Sequence, residues 1–330
     1  MPRAAAGRYR VMTPLAATEN LVVEYRSRGR RLRALDDVSL ALAPGESLGI
    51  VGESGSGKST LARALLALIA PTAGRVRYKG EDLATLSKAA LRRRRRELTL
   101  VFQHPGASLD PRLTVGESVA EPLTVHEPAL DAAARAARVA ALLERVGLDP
   151  SHAARRPHEL SGGQCQRAAI ARALITRPEL VVCDEAVSAL DASVQAQIVN
   201  LLLGLMRTER LALVFISHDL AVVRRIASRV VVLYRGQLLE SAPRGALYER
   251  PRHPYTRLLL DSVMTLEGRP SRAAGTPPDV ESPFARPAGC VFAGRCPHVL
   301  ARCQSERPPL ETTEEGATVA CFRWREGVAR

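Results

Sequence analysis

The sequence predicts an α/β fold: a mostly parallel sheet, a helical block inserted between two of its strands, and a small cysteine-bearing C-terminal segment. Three observations predict it. Short apolar runs recur with helix-like stretches between them, the alternation a parallel sheet requires. A glycine-rich loop stands between one such run and a helix-like stretch. Residues 105–178 lose strand texture and are mostly helical in pattern.

Taken in order, Glu19 to Tyr25 and Val38 to Leu42 alternate loosely, and Pro44-Gly45 marks a turn, so residues 19–50 read as short strands and turns. Ser47 to Val51 reads as a buried strand. Lys58 to Ile69 is a predicted helix, stopped by Pro71. Leu98 to Phe102 is another apolar strand. In the helical block the clearest amphipathic helix is Asp131 to Val146, where Ala136, Val139, Leu142, Leu143 and Val146 share a face. Strand texture returns at Leu180 to Cys183, Ala212 to Ile216 and Val230 to Tyr234. After His253 the chain turns Pro-rich and loses periodicity, the mark of a domain boundary. The expected organisation is an N-terminal extension over 1–17, a main domain over 18–252 with its helical subdomain at about 105–178, and a C-terminal domain over 253–330.

The 330 residues, 46% apolar and 25% charged, suffice for a full core and an ordinary globular surface. No apolar run approaches the roughly 18 residues of a membrane span. The stretch MPRAAAGRYRVMTPLAATEN lacks the apolar segment of a signal peptide. The chain is therefore expected in the cytosol, with any membrane role going through partners. A net charge of +13 invites a nucleic-acid reading. Yet Lys occurs only at 58, 79 and 88 among 47 basic residues, the Arg-rich, Ala-rich usage of GC-rich coding. The five consecutive arginines Arg92 to Arg96 cannot share one helix face. A basic solvated surface is the expected reading, without direct nucleic-acid binding; nearness to anionic lipid headgroups is a further use.

Residues 52–59, GESGSGKS, fit the phosphate-loop pattern G-x-x-x-x-G-K-[ST] between a strand and a helix. Gly52, Gly55 and Gly57, with Ser54 and Ser56 between them, let backbone N–H groups curl around phosphate oxygens. The helix N-terminus, with Thr60 in its first turn, adds its positive dipole end. Lys58 is expected to bridge the β- and γ-phosphates of ATP, and Ser59 to coordinate Mg²⁺. Residues 180–185, LVVCDE, form a strand ending in two acids at the sheet's C-terminal edge, where open α/β sheets bind ligands. Asp184 is expected to hold Mg²⁺ through water and Glu185 to polarise the attacking water. The core is thus an α/β P-loop NTPase, RecA-like in kind.

Residues 160–164, LSGGQ, precede a helix running to about Thr176: Ser161, Gly162, Gly163 and Gln164 make a second helix N-terminus suited to phosphate. LSGGQ is the signature of the ATP-binding cassette (ABC) ATPases, and the chain resembles that family. The resemblance implies that this signature contacts the γ-phosphate bound to the opposite subunit. Gln103 resembles the Q-loop glutamine, which approaches Mg²⁺ and the water. Residues 188–191, with Asp191, resemble the D-loop, and His218 resembles the switch histidine at the γ-phosphate. Tyr25 resembles the aromatic stacked on adenine. Two positions depart from the pattern: Ala186 where Pro is usual and Cys165 where a basic residue is common; neither removes a group that does chemistry. With one P-loop and one signature, the chain must pair with a copy of itself or a related ATPase.

Residues 101–111 (VFQHPGASLDP), 156–159 (RPHE) and 253–256 (HPYT) resemble the oligopeptide, dipeptide and nickel importer ATPases, and the cassette resemblance spans about 18–255. It implies an ATP-hydrolysing subunit of a di- or oligopeptide importer, or alternatively an importer of nickel or another small solute. The implied partners are a second ATPase subunit, two membrane permease subunits and an extracytoplasmic substrate-binding protein. The implied place is peripheral, on the cytoplasmic face of the cell membrane. The competing reading is a soluble ABC ATPase acting on nucleic acid or ribosomes. Such proteins typically carry two cassettes or a large insertion, and this chain shows neither. A non-hydrolysing role is opposed by Glu185 and His218.

Cys290, Cys296, Cys303 and Cys321 are separated by five, six and seventeen residues in a loop-like tail too small to order itself. The cytosol disfavours disulfides, zinc usually wants a closer C-x₂₋₄-C pair, and the spacing fits no common ferredoxin run. Spacing alone leaves the choice open. The pattern resembles the C-terminal domain of peptide-importer ATPases, some of which bind a [4Fe–4S] cluster; that cluster is the expectation, with Zn²⁺ the alternative. Cys165 and Cys183 sit in helix and strand texture and are expected to be core residues.

Overall fold

The computed structural model describes residues 13–27, 29–103, 108–188, 190–264 and 287–327. Strands β1 (Ala16–Ser27), β2 (Arg30–Leu42), β4 (Ala73–Tyr78) and β5 (Glu81–Asp82) form an antiparallel sheet in the order β2-β1-β4-β5. The larger sheet contains β3 (Ser47–Val51), β6 (Leu98–Val101), β7 (Leu180–Asp184), β8 (Ala212–Ile216), β9 (Arg229–Tyr234), β10 (Gln237–Pro243), β11 (Glu311–Thr312) and β12 (Thr318–Val319). Its order is β11-β12-β10-β9-β3-β8-β7-β6. The five strands β9-β3-β8-β7-β6 run parallel; β10, β11 and β12 add antiparallel neighbours at one edge.

The parallel strands are apolar at nearly every position, Ser47, Thr99, Asp184 and Arg229 excepted, because both faces are covered. Alternate residues feed two cores. Val181, Cys183, Leu213, Phe215, Val230 and Val232 pack on one side with the helical block and the C-terminal region. Leu180, Val182, Ala212, Val214, Ile216, Val231 and Leu233 pack on the other with the antiparallel sheet and the helix Lys58–Leu65. Cys183 is fully buried and Cys165 nearly so, as expected of core thiols.

The helical block joins the neighbouring parallel strands β6 and β7 and carries the helices Val115–His126, Ala132–Arg145 and Gly162–Leu174. Asp131 caps the second, its Oδ1 accepting from the Ala134 N–H at 2.7 Å. Val139, Leu142, Leu143 and Val146 are buried as expected, but Ala136 is exposed. The predicted helix to Ile69 instead ends at Leu65. Ala67 takes a left-handed φ of 50°, and the N–H groups of Ala67 and Leu68 close onto the carbonyls of Ala64 and Arg63 at 2.9 and 2.8 Å. That Schellman closure stops the helix before Pro71 is reached. The arginine run splays, as five consecutive residues must: Arg94 pairs with Glu81 and Glu97, Arg95 donates to the Ala67 carbonyl, and Arg96 pairs with Glu127.

Packing does not stop at residue 253. The helix Pro254–Met264 begins there, and Tyr255, Cys290, Val291, Phe292 and Ala317 join the core beneath the parallel sheet. Glu240 on β10, fully buried, anchors the junction by accepting the N–H groups of Arg252 and His253 at 2.9 and 3.0 Å. Burial pushes its carboxyl above the usual range. Among the described residues no helix is long and apolar enough to cross a membrane.

Candidate nucleotide site

β3 delivers the chain into the P-loop at the C-terminal edge of the parallel strands. Glycine is required at its two ends. Gly52 has φ 150°, and a Cβ there would stand 2.1 Å from the Leu233 carbonyl oxygen; Gly57 has φ 102°, and its Cβ would stand 2.6 Å from that of Ala34. The loop N-terminates the helix Lys58–Leu65 without a side-chain cap, so its first N–H groups are available to an anion. Gly55 faces open space, and Ser56 is buried with its N–H on the Glu53 carbonyl at 3.1 Å. Ser54 lies in the loop and Thr60 in the first turn of the helix. Lys58 is 5% exposed, and its Nζ donates to the carbonyls of Gly52 and Glu53 at 2.7 and 2.8 Å. Burial pushes its ammonium below the usual range, opposed by the carboxylates of Glu185, Asp184 and Glu53.

The register of β7 beside β8 assembles the rest. Asp184 pairs with Ile216, and the Glu185 N–H donates to the Ile216 carbonyl at 3.0 Å, so Glu185 and His218 leave adjacent strands side by side. The Ser59 hydroxyl donates to Asp184 Oδ1 at 3.0 Å. Burial pushes the Asp184 carboxyl up, and the Ser59 hydrogen bond opposes it. Glu185 takes φ 50°, the left-handed region that non-glycine residues rarely adopt; there its Oε2 accepts from Gln103 Nε2 at 2.9 Å and lies 3.6 Å from His218 Nδ1. Five residues expected to act together thus do meet: Ser59 with Asp184, and Glu185 with Gln103 and His218. Ala186, at the first departure from the family pattern, is buried.

The signature forms its own helix N-terminus. Ser161 Oγ accepts from the Gln164 N–H at 3.3 Å, and Gln164 Oε1 accepts from the Ser161 N–H at 2.9 Å, a reciprocal capping box. A Cβ on Gly163 would meet Val194 Cγ1 at 2.7 Å, which places the signature against the helix Ala192–Glu209. Asp191 caps that helix, accepting from Ser193 and Val194. Ser161 and Gly162 are exposed, as is Tyr25 on β1. Cys165, at the second departure, donates its S–H to the Pro157 carbonyl at 3.2 Å.

Cys290, Cys296, Cys303 and Cys321 line one cavity together with His253 and Phe292. The four-thiol donor set suits an iron–sulfur cluster or zinc in kind. In the present arrangement, among the described residues, no group of three or more His, Cys, Asp or Glu is close enough to hold a metal ion. The cavity measures about 20 Å³, close to the size of a water site, so its walls must part to admit a cluster. Burial favours the neutral thiols of Cys290, Cys296 and Cys321, pushing Cys290 up to about 11.

The sequence reading missed Glu53, Tyr255 and Arg295 as neighbours. The Glu53 N–H donates to Tyr255 Oη at 2.9 Å, and Arg295 makes a two-pronged pair with the Glu53 carboxylate at 2.8 and 3.0 Å. No local signal links residues so distant in the chain.

The ABC transporter family matches residues 35–188, and the oligopeptide/dipeptide transporter C-terminal region matches residues 239–303. A probable peptide ABC transporter ATP-binding protein of Sinorhizobium fredii is 50% identical over 293 residues, covering 88% of this chain and 82% of the relative. The oligopeptide transport ATP-binding protein OppF of Salmonella typhimurium is 46% identical over 297 residues, covering 89% of each. Among solved structures, the dimeric ATP-binding cassette MJ0796 in a post-hydrolysis state with ADP and Pi is 32% identical with a TM-score of 0.64, covering 69% of this chain and 98% of its own. The chain is thus similar along most of its length to known cassettes: it belongs to the ABC transporter ATPase family.

Proposed function

We propose that this chain is the motor subunit of an importer of di- or oligopeptides, working as one half of an ATP-closed dimer. The observation that carries the reading is the joining of a single complete cassette to a C-terminal region similar to that of oligopeptide/dipeptide transporters. Relatives named for peptide import support it. In this reading residues 18–252 form the ATPase domain, and residues 253–330 are a C-terminal addition sharing its core. The partners are a second ATPase subunit, two permease subunits that hold the chain at the cytoplasmic membrane face, and an extracytoplasmic peptide-binding protein.

Tyr25 stacks on adenine. The P-loop N–H groups receive the phosphates, and Lys58 exchanges its bonds to the loop carbonyls for phosphate oxygens. Ser59 and Asp184 present the hydroxyl and carboxylate oxygens suited to Mg²⁺, which needs few protein ligands and, when bound, neutralises charge on the β- and γ-phosphates. Glu185 orients and polarises the attacking water while Gln103 holds its carboxylate in place and His218 faces the γ-phosphate. Ser161, Gly162, Gly163 and Gln164 of the opposing subunit close over the γ-phosphate, with Asp191 at the same interface. The test is reconstitution with a peptide-importer permease pair and its binding protein: ATP-dependent uptake of a labelled peptide, lost with Glu185→Gln. Uptake of nickel but no peptide refutes the substrate assignment.

The four tail cysteines are further proposed to hold a [4Fe–4S] cluster, with Zn²⁺ the alternative; their sharing of one cavity supports this. Protein purified without oxygen is expected to contain about four irons and four sulfides per chain. Stoichiometric zinc instead favours the alternative, and metal-free protein with an ordered tail refutes both.

A further inference from the structure

Glu53, the second residue of the P-loop, has every polar group engaged. Its carbonyl accepts from Lys58 Nζ at 2.8 Å and from the Ser56 N–H at 3.1 Å, within the loop. Its N–H and its carboxylate are held by Tyr255 and Arg295 of the C-terminal region, 202 and 242 residues further along the chain. Both holders are fixed in turn. Tyr255 is fully buried, its ring packed at a tilt against Tyr234 and Phe292 with centroids 4.6 and 5.4 Å away. The Arg295 side chain is 13% exposed, its guanidinium 5.8 and 6.0 Å from the rings of Tyr234 and Phe292. A two-pronged guanidinium–carboxylate pair against aromatic faces fixes position as well as charge; it is not the loose surface pair that adds little.

We propose that Tyr255 and Arg295 are positioning residues for ATP: through Glu53 the C-terminal region sets the shape of the phosphate loop and so the affinity for the triphosphate. This rests on the ATPase reading above. A P-loop binds through ordered backbone N–H groups, and a loop already ordered loses less entropy when phosphate arrives. Neither residue needs to touch nucleotide. Gln103, Glu185 and His218 lie outside the clamp, so its loss acts on binding and not on the chemical step. Cys296 follows Arg295 directly, and the N–H of Arg295 donates to the Phe292 carbonyl at 3.1 Å, so the turn that aims Arg295 is part of the cysteine cavity wall.

The experiment measures MgATP affinity by calorimetry, with KM and kcat for hydrolysis, on the full chain and on Arg295→Gln, Arg295→Lys and Tyr255→Phe. Each variant is expected to weaken MgATP binding about three- to tenfold, with KM rising in step and kcat at saturation within about twofold. Lys keeps the charge but not the fork, so its failure to restore affinity separates positioning from simple charge. Wild-type affinity in Arg295→Lys beside a loss in Arg295→Gln overturns the proposal, as does a fall in kcat at unchanged affinity. Should Arg295→Gln disrupt the tail, Tyr255→Phe decides, since it keeps the ring, the packing and the ion pair; unchanged affinity there refutes the clamp. A wild-type chain without MgATP affinity refutes the ATPase reading itself, whereas normal wild-type affinity with insensitive variants refutes the clamp alone.

Discussion

Replacing Glu185 by Gln removes one charge from the end of β7 and keeps the shape. The backbone, with φ 50° and its N–H on Ile216, accepts Gln as it accepts Glu. The amide can still accept from Gln103 Nε2, which stands 2.9 Å from the carboxylate oxygen. What it cannot do is draw a proton from water. A positioned base is worth about 10²–10⁴ in rate, or roughly 3–5 kcal/mol of barrier. Stability is expected to change little, because the facing His218 is 61% exposed and their contact is long at 3.6 Å. MgATP affinity is expected to hold or rise, since a carboxylate no longer faces the γ-phosphate. The assay is steady-state phosphate release alongside light scattering in MgATP: turnover falls at least about a hundredfold while an ATP-bound dimer accumulates. Turnover near the wild-type rate refutes Glu185 as the base.

Ser161→Arg is expected to abolish hydrolysis by a homodimer, and mixing it with Lys58→Ala leaves at most one intact composite site per dimer; normal phosphate release by Ser161→Arg alone refutes the head-to-tail arrangement. His253 gives a pH dependence. It is buried, and burial pushes its pKa down to about 3, against roughly 6.5 in an unfolded chain. Between these values the unfolded state binds more protons, so the stability it contributes is present above about pH 6.5 and is lost as pH falls toward 3, by up to about 1.4 kcal/mol per pH unit. In urea titrations from pH 7 to 5 the wild type is expected to lose stability more steeply than His253→Asn, and parallel curves refute the assignment.

Local sequence carried the parallel strands because each is short and mostly apolar; β3 and β8 begin and end where the pattern places them. The P-loop and the paired acids were legible for the same reason, since their chemistry is written in adjacent residues. The contact of Gln103 with Glu185 needed the family resemblance, because 82 residues and a helical block separate them. β4 and β5 went unread: β4 is interrupted by Gly74, Arg75 and Arg77, and only Val76 and Tyr78 are buried. β10 went unread because its polar Gln237, Glu240 and Ser241 are buried with hydrogen-bond partners, against the usual rule. The C-terminal region lacks periodicity, yet its described residues pack on the core through Tyr255, Phe292 and Val319. Ala67 shows the limit of composition at a helix end: no glycine marks a left-handed residue that tertiary contacts impose.

The central claim is that residues 52–59 cradle the phosphates of ATP with Lys58 as the essential cation, and calorimetric titration of MgATP into wild type and Lys58→Ala tests it most directly. The ammonium is held among loop carbonyls at 2.7 and 2.8 Å, poised beside the turn of N–H groups that would receive phosphate. Wild type is expected to bind MgATP with one site per chain, and Lys58→Ala to bind at least about a hundredfold more weakly, the loss of a buried charge-assisted contact. Equal affinity in the two proteins contradicts the phosphate-cradle assignment.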